Sequence, residues 1–359
     1  MDKRINEGYY SRSISIPQNL VYCNPKEDPF KIYGLYSPKK EGPFKRLPDE
    51  IGINVNENVK HLYTNPSGGR IRFKTDSKII GVRVKFPYTA VRSIMPLHAS
   101  VGFDVYKDDT MCDEVYCGTI RPPVDCDNQY ENVINMGEKR MRNITLYMPI
   151  YNDVYNLEII LDDGCRVKKT DLHYTNRLPV VYYGSSITQG ASTSRCALTY
   201  PARISRKYNL DFINLGFAGG AKGEQLMVDY IKNLPMSVFV MDYDHNAPTA
   251  EHLKATHEPM FLQIREAQPN LPVIFISRPS VDYTNQDLIE RRSIIYSTYI
   301  NAIKKGDKKV YFVDGFSLFG DDHEINCSAD GVHPNDSGFE KMADSIGKVV
   351  FYAFKNADS

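Results

Sequence analysis

Two hydrophobic periodicities divide this chain. In the first half, apolar and polar residues alternate in short runs. Ile71–Phe86 alternates with a turn at Thr75–Lys78, and Val101–Asp109, Ile144–Tyr151 and Val154–Gly164 read as further strands. Turns rich in Asp, Asn, Gly and Pro separate them, and no long amphipathic helix stands out. Many short strands without long helices predict a β-sandwich of jelly-roll type.

The second half changes period. Apolar runs at Val180–Gly184, Phe212–Gly216, Val238–Tyr243, Val273–Pro279 and Val310–Phe316 alternate with helical patterns. The helices are predicted near Tyr200–Tyr208, Lys222–Leu234, Thr249–Ala267, Gln286–Lys305 and Asp336–Phe354. Near-continuous apolar strands between helices predict a five-stranded parallel sheet covered on both faces, an α/β fold. The charged stretch Lys168–Arg177 lies between the two patterns. It predicts a β-sandwich domain over 1–172 and an α/β domain over 173–359. The chain shows no internal repeat.

Charge narrows the partners. The 359 residues carry 44 Lys+Arg and 44 Asp+Glu, a formal net charge of zero. That balance argues against nucleic acid or an anionic membrane as the main partner. No run approaches the roughly 20 apolar residues of a membrane span. The polar N-terminus, Met1 followed by Asp2, lacks the apolar core of a secretory signal. Seven scattered cysteines (Cys23, Cys112, Cys117, Cys126, Cys165, Cys196 and Cys327) form no CxxC pair. This argues against a disulfide framework and a structural metal. A cytoplasmic protein with reduced thiols is expected.

The candidate chemistry lies where parallel strands end, the rim at which open α/β sheets bind ligands. GSSITQG (Gly184–Gly190) follows the first strand and NLGFAGG (Asn214–Gly220) the second. MDYDHNAP carries Asn246 after the third, and DGVHP (Asp330–Pro334) precedes the last helix. A serine hydroxyl is a weak nucleophile until an imidazole takes its proton and a carboxylate orients that imidazole. Ser186, His333 and Asp330 are the residue types required. Backbone N–H groups of Ser186 and Gly219, with the Asn246 side chain, are candidates for binding an oxyanion. A serine after a strand is also an ordinary helix N-cap, and Asn246 is a good helix starter. Glu224, Arg195 and Arg278 lie near the rim as candidate substrate contacts, with salt bridging as the competing role. Tyr200 is expected in the core. The mechanism calls for no cofactor and no metal.

From about Pro179 to Phe354 these blocks resemble the SGNH (GDSL-type) hydrolases. That resemblance implies a flavodoxin-like α/β/α fold, with Ser186 as nucleophile, Asp330 and His333 completing the triad, and Gly219 and Asn246 as oxyanion donors. Two departures stand out: Ser185 replaces the usual Asp before the nucleophile, and DYDHN replaces a G-x-N-D block, so Asp244 or His245 competes with Asn246. YYGSSITQGAS, INLGFAGGAKGE and Phe30–Pro48 resemble a subgroup with an N-terminal β-sandwich. Relatives of that architecture include carbohydrate O-acetyl esterases, among them acetyl xylan esterases that act in polysaccharide degradation. The resemblance thus implies a carboxylic ester hydrolase acting on acetylated carbohydrate or oligosaccharide. A lipase, lysophospholipase or thioesterase is the alternative within the same chemistry, and a non-catalytic carbohydrate-binding protein the alternative outside it. A small-molecule or oligosaccharide ester is the expected partner, and a sandwich edge offers a homo-oligomer interface.

Overall fold

A computed structural model describes residues 18–108, 114–280, 282–320 and 324–357. The expected end of one strand at Asp109, the N-terminal segment and Cys112 lie outside these residues. The six described cysteines are free thiols.

The first half forms two antiparallel sheets. One contains β1 (Leu20–Cys23), β4 (Ile79–Lys85), β7 (Gln129–Asn135) and β9 (Asn156–Asp162), in the order β1-β9-β4-β7. The other contains β3 (Arg70–Thr75), β5 (Phe103–Asp108), β6 (Val115–Ile120), β8 (Arg142–Tyr147) and β10 (Val167–Lys168), in the order β10-β3-β8-β5-β6. A short β2 (Lys31–Tyr33) pairs with β3. The Ile71–Phe86 run crosses between the sheets: its turn separates β3 from β4 and sends them to opposite layers. Alternate side chains then point inward. Ile71 and Phe73 meet Ile80, Val82, Val84, Ile144, Leu146, Ile159 and Leu161 in one buried core.

Three short helices, α1 (Asp49–Gly52), α2 (Glu57–Leu62) and α3 (Leu97–Val101), interrupt the strands. Val101 therefore closes a helix and does not open a strand, and β5 starts at Phe103. The strand expected at Ile144–Tyr151 stops at Tyr147, just before Met148 and Pro149.

The second half is a five-stranded parallel sheet in the order β12-β11-β13-β14-β15. Its strands are β11 (Val180–Gly184), β12 (Phe212–Gly216), β13 (Val238–Asp242), β14 (Val273–Ile276) and β15 (Val310–Val313). This is the flavodoxin-like order, with its switch point between β12 and β13 on either side of β11. The helices are α4 (Ser186–Gln189), α5 (Tyr200–Tyr208), α6 (Gln225–Ile231), α7 (Ala250–Ala267), α8 (Gln286–Lys304), α9 (Glu324–Cys327) and α10 (Asp336–Lys355). Contacts of α5 with α10, and of α6 with α7 and α7 with α8, build the two covering layers. Local signals set the helix starts. Thr199 caps α5 by accepting from the Ala202 N–H, with Pro201 in the first turn, and Asn335 caps α10 by accepting from Gly338.

The halves share one hydrophobic core. Leu47, Val59, Leu62, Tyr147, Ile150 and Tyr151 from the sandwich side join Tyr182, Ile187, Phe212 and Phe217 in a continuous buried cluster. No helix among the described residues is long and apolar enough to cross a membrane.

Candidate active site

The turn that carries Ser186 follows from close packing at the end of β11. A Cβ on Gly184 would lie 2.0 Å from Thr188 Oγ1 and 2.5 Å from the Asp242 carbonyl, so only glycine lets the chain turn there. Ser185 takes the capping role: its Oγ accepts from the Ile187 N–H at 3.1 Å. Ser186 becomes the first residue of α4, and its Oγ lies 2.9 Å from His333 Nε2. The two serines divide the two roles that one serine position offers.

Asp330 and His333 come from a loop folded on itself. Ser328 bridges to Pro334, the Ala329 N–H donates to the His333 carbonyl at 2.8 Å, and Ser328 Oγ accepts from Gly331 at 2.6 Å. Asp330 Oδ1 accepts the backbone N–H groups of Val332 (3.0 Å) and His333 (2.7 Å), while Oδ2 lies 2.8 Å from His333 Nδ1. Burial pulls the Asp330 pKa upward, but these hydrogen bonds and the imidazole outweigh it and hold the carboxyl below its ordinary range. An ionised Asp330 places the proton on Nδ1, leaving the Nε2 lone pair for the Ser186 hydroxyl.

The expected oxyanion donors are close together but already engaged. Gly219 has φ of +65°, and its N–H donates to Asn246 Oδ1 at 3.0 Å. Asn246 Nδ2 donates to the Phe217 carbonyl at 2.8 Å. These two bonds fix which end of the amide is oxygen and leave the second Nδ2 hydrogen uncommitted. The Ser186 N–H stands at a first helical position, where no intrahelical acceptor exists. Gly219 thus serves an oxyanion only by sharing its hydrogen with Asn246. Asp244 is excluded as a donor because its carboxylate accepts from the Arg278 N–H at 2.9 Å and pairs with Arg291 at 3.3 Å.

Arg195 and Glu224 take structural partners, the role that competed with substrate contact. Arg195 reaches across to the sandwich, where it meets Asp104 Oδ2 at 3.5 Å and stacks over the Tyr116 ring. Glu224 accepts from Asn56 Nδ2 at 2.5 Å and from the Lys222 N–H at 3.0 Å, bracing the loop after β12. Both lie near the rim, but hydrogen-bonding groups on the sandwich side hold them at the seam. Arg278 does line a cavity of about 360 Å³ beside the catalytic loop, with His245, Asn285, Ser328 and Val332. His245 Nε2 is buried there without a hydrogen-bond partner. Burial, then the charges of Arg278, His333 and Arg291, push its pKa well below the ordinary imidazole value, so it is neutral near pH 7.

Several supporting residues escaped the sequence reading. Gln189 Oε1 accepts from the Ala218 N–H at 3.1 Å, and its Nε2 donates to the Ile150 carbonyl at 3.2 Å, tying the nucleophile turn to both the loop and the sandwich. Asp242 lies beneath the turn, accepting from Thr188 Oγ1 (2.7 Å) and Tyr200 Oη (2.8 Å). Burial, only partly opposed by these two hydrogen bonds, raises its pKa to about 7. The available signal was a polar residue ending an apolar strand next to a motif.

A strand-end serine on a parallel α/β sheet, within hydrogen-bond reach of an Asp-supported histidine, defines a serine hydrolase scaffold. Residues 177–351 match the model of the GDSL-like lipase/acylhydrolase family, and residues 20–167 match that of the N-terminus of SGNH hydrolase-type esterases. The chain belongs to the SGNH (GDSL-type) hydrolases with an N-terminal β-sandwich. A solved structure described as a GDSL-like lipase from Bacteroides ovatus shares 27% identity, covers 94% of this chain and 98% of its own, and superposes with a TM-score of 0.84. The salicylyl-acyltransferase SsfX3 of a tetracycline biosynthetic pathway shares the fold at 20% identity and TM-score 0.73, over 91% of this chain and 95% of its own. An acetyl xylan esterase, Est2A, from the rumen bacterium Butyrivibrio proteoclasticus shares it at 11% and 0.58, over 93% and 98%. No curated protein matches.

Proposed function

We propose that this protein hydrolyses O-acetyl or other short-acyl esters of a hydroxylated, carbohydrate-like alcohol through an acyl-enzyme on Ser186. The observation that carries the reading is the unbroken relay from Ser186 Oγ to His333 Nε2 (2.9 Å) and from His333 Nδ1 to Asp330 (2.8 Å). In this reading Ser186 Oγ attacks the ester carbonyl as His333 Nε2 takes its proton, and ionised Asp330 stabilises the imidazolium. The Ser186 N–H, the uncommitted Asn246 Nδ2 hydrogen and a shared Gly219 N–H face the developing oxyanion. The tetrahedral intermediate collapses, and the alcohol leaves with the proton from His333. Water then attacks the acyl-enzyme with His333 again as base, releasing the carboxylic acid and restoring Ser186.

Support for a hydroxylated alcohol comes from the cavity of about 360 Å³ beside the His333 loop, where Arg278, Asn285 and the unpaired His245 Nε2 set hydrogen-bonding groups among Leu288, Phe319 and Val332. The carbohydrate esterase names among structures of the same fold point the same way. A cytoplasmic enzyme acting on an imported oligosaccharide fits the sequence composition.

The test is hydrolysis of p-nitrophenyl acetate against p-nitrophenyl octanoate by wild type and Ser186→Ala. Acetate selectivity, with a loss of at least about 10⁴-fold in the variant, is expected. Octanoate preference would replace this reading with a lipase or thioesterase. Activity surviving in Ser186→Ala would remove the acyl-enzyme.

A further inference from the structure

The loop that must present the Gly219 N–H is held from outside its own domain. Arg46 Nη1 donates to the carbonyls of Asn214 (3.1 Å) and Gly216 (2.5 Å), and Nη2 donates to Leu62 O at 2.7 Å. Its guanidinium stacks over the Phe217 ring at 4.2 Å. Arg46 is 1% exposed and takes part in no salt bridge among the described residues, so backbone carbonyls and one aromatic face stand in for water around its charge. Ten residues past Arg46, Asn56 stands at the N-cap of α2, and Asn58 lies in the first turn of that helix. Asn56 Nδ2 donates to Gly220 O at 2.8 Å, and Asn58 Nδ2 donates to Gly219 O at 2.9 Å. Every one of these donors belongs to the segment 46–58, and, Leu62 O apart, the acceptors are four carbonyls of the segment 214–220.

Why this matters follows from glycine. Gly219 sits at positive φ between two peptide planes that no Cβ restrains, so the plane carrying its N–H and the plane carrying its C=O are both free to swing. Asn246 holds the first from within the hydrolase domain, and Asn58 holds the second from the sandwich side. An oxyanion hole accelerates a reaction only if its dipoles are fixed before charge develops. We propose that Asn58 is a positioning residue for the oxyanion loop, so that the N-terminal domain is a working part of the catalytic apparatus. This inference rests on the esterase reading above. Asn58 acts through the Gly219 peptide and forms no bond to the reacting atoms.

Asn58 is exposed, so it can be changed without opening the core. Asn58→Ala removes the donor, and Asn58→Asp keeps the shape while setting a carboxylate against the Gly219 carbonyl. For p-nitrophenyl acetate, kcat should fall about tenfold in Asn58→Ala and further in Asn58→Asp, because a loosened donor costs less than a deleted one. KM should stay within about twofold, and the pH profile should not move because His333 is untouched. Hydrogen exchange over 214–221 should quicken in both variants with the melting temperature unchanged. Variants that keep kcat within about twofold of wild type, or that leave exchange unchanged, overturn the proposal. If wild type shows no Ser186-dependent hydrolysis, the esterase reading fails by itself, and the exchange comparison still decides whether Asn58 holds the loop.

Discussion

The two sheets of the sandwich have the same alternating sequence pattern and opposite fates. The outer face of β4, β7 and β9 meets solvent: Arg83, Lys85, Glu131 and Glu158 are partly or fully exposed, above a small apolar cluster of Ile79, Val133 and Ile160. The outer face of β3, β5 and β8 meets the hydrolase domain. There Arg70, Arg72, Asp104 and Thr145 are buried, and Tyr106 and Tyr147 join the hydrolase core. Polar positions that alternation assigns to water are instead satisfied across a seam. Arg70 donates to Phe212 O at 3.1 Å and pairs with Asp211, and Asp104 accepts from the Ala197 N–H at 3.0 Å. An alternating strand therefore specifies which residues leave the sandwich core, and only tertiary structure says what receives them.

The largest effect is expected where a buried carboxylate lacks what the seam supplies. Asp104 has a cation nearby; Asp242 has two hydroxyls. With a folded pKa near 7 against an ordinary 3.8, Asp242 holds a proton in the folded chain that the unfolded chain has lost. Its contribution is fully present below about pH 3.8 and is lost as pH rises through 7. Denaturant melts of wild type and Asp242→Asn at pH 4 and pH 8 should diverge by on the order of 4 kcal/mol, the variant gaining at the higher pH. Parallel pH curves would show that the site admits water.

Next in size is the seam. Arg70→Met leaves the Phe212 carbonyl and Asp211 without their partner and should cost about 3 kcal/mol, read as a fall in melting temperature. Arg195→Met should cost about 1 kcal/mol and leave KM unchanged, because its partners are Asp104 and Tyr106 and not substrate. A raised KM at normal stability would return Arg195 to the substrate-contact role that its sequence position suggested.

These contrasts mark what was legible. The five parallel strands and their helices could be read because the central strands are buried on both faces and the helices α5, α7, α8 and α10 each open on a capping side chain. The strands that escaped, β1, β6, β7 and β10, are the four edges of the two sandwich sheets, and β2 pairs only with β3. β1 and β10 are short, and β6 and β7 carry exposed or polar residues that blur their alternation into the turns. That Ser186, His333 and Asp330 meet was legible because the proposed chemistry restricts residue type and the sheet restricts place. Arg46, Asn58 and Gln189 were not, because they hold the loop through backbone carbonyls and N–H groups far away in sequence, and a carbonyl has no sequence signature.

The smallest effect belongs to the solvent face and tests the contrast from the other side. Arg83 has the richest outer-face set: Glu131 at 2.7 Å, Glu158 at 3.4 Å, and the Tyr22 ring 3.7 Å from its guanidinium carbon. As a contact inventory this rivals Arg70. The difference is water, since the Arg83 side chain is 42% exposed and that of Arg70 is 0% exposed. Exposed charges lose little hydration on pairing and regain it when a partner goes, so Arg83→Ala should cost no more than about 1 kcal/mol. Salt should shrink even that, while the Arg70→Met deficit persists at high ionic strength because the seam excludes the screening ions. If the two variants lost equal stability, contact number and not burial would rank the arginines, and the distinction between the two faces would fall.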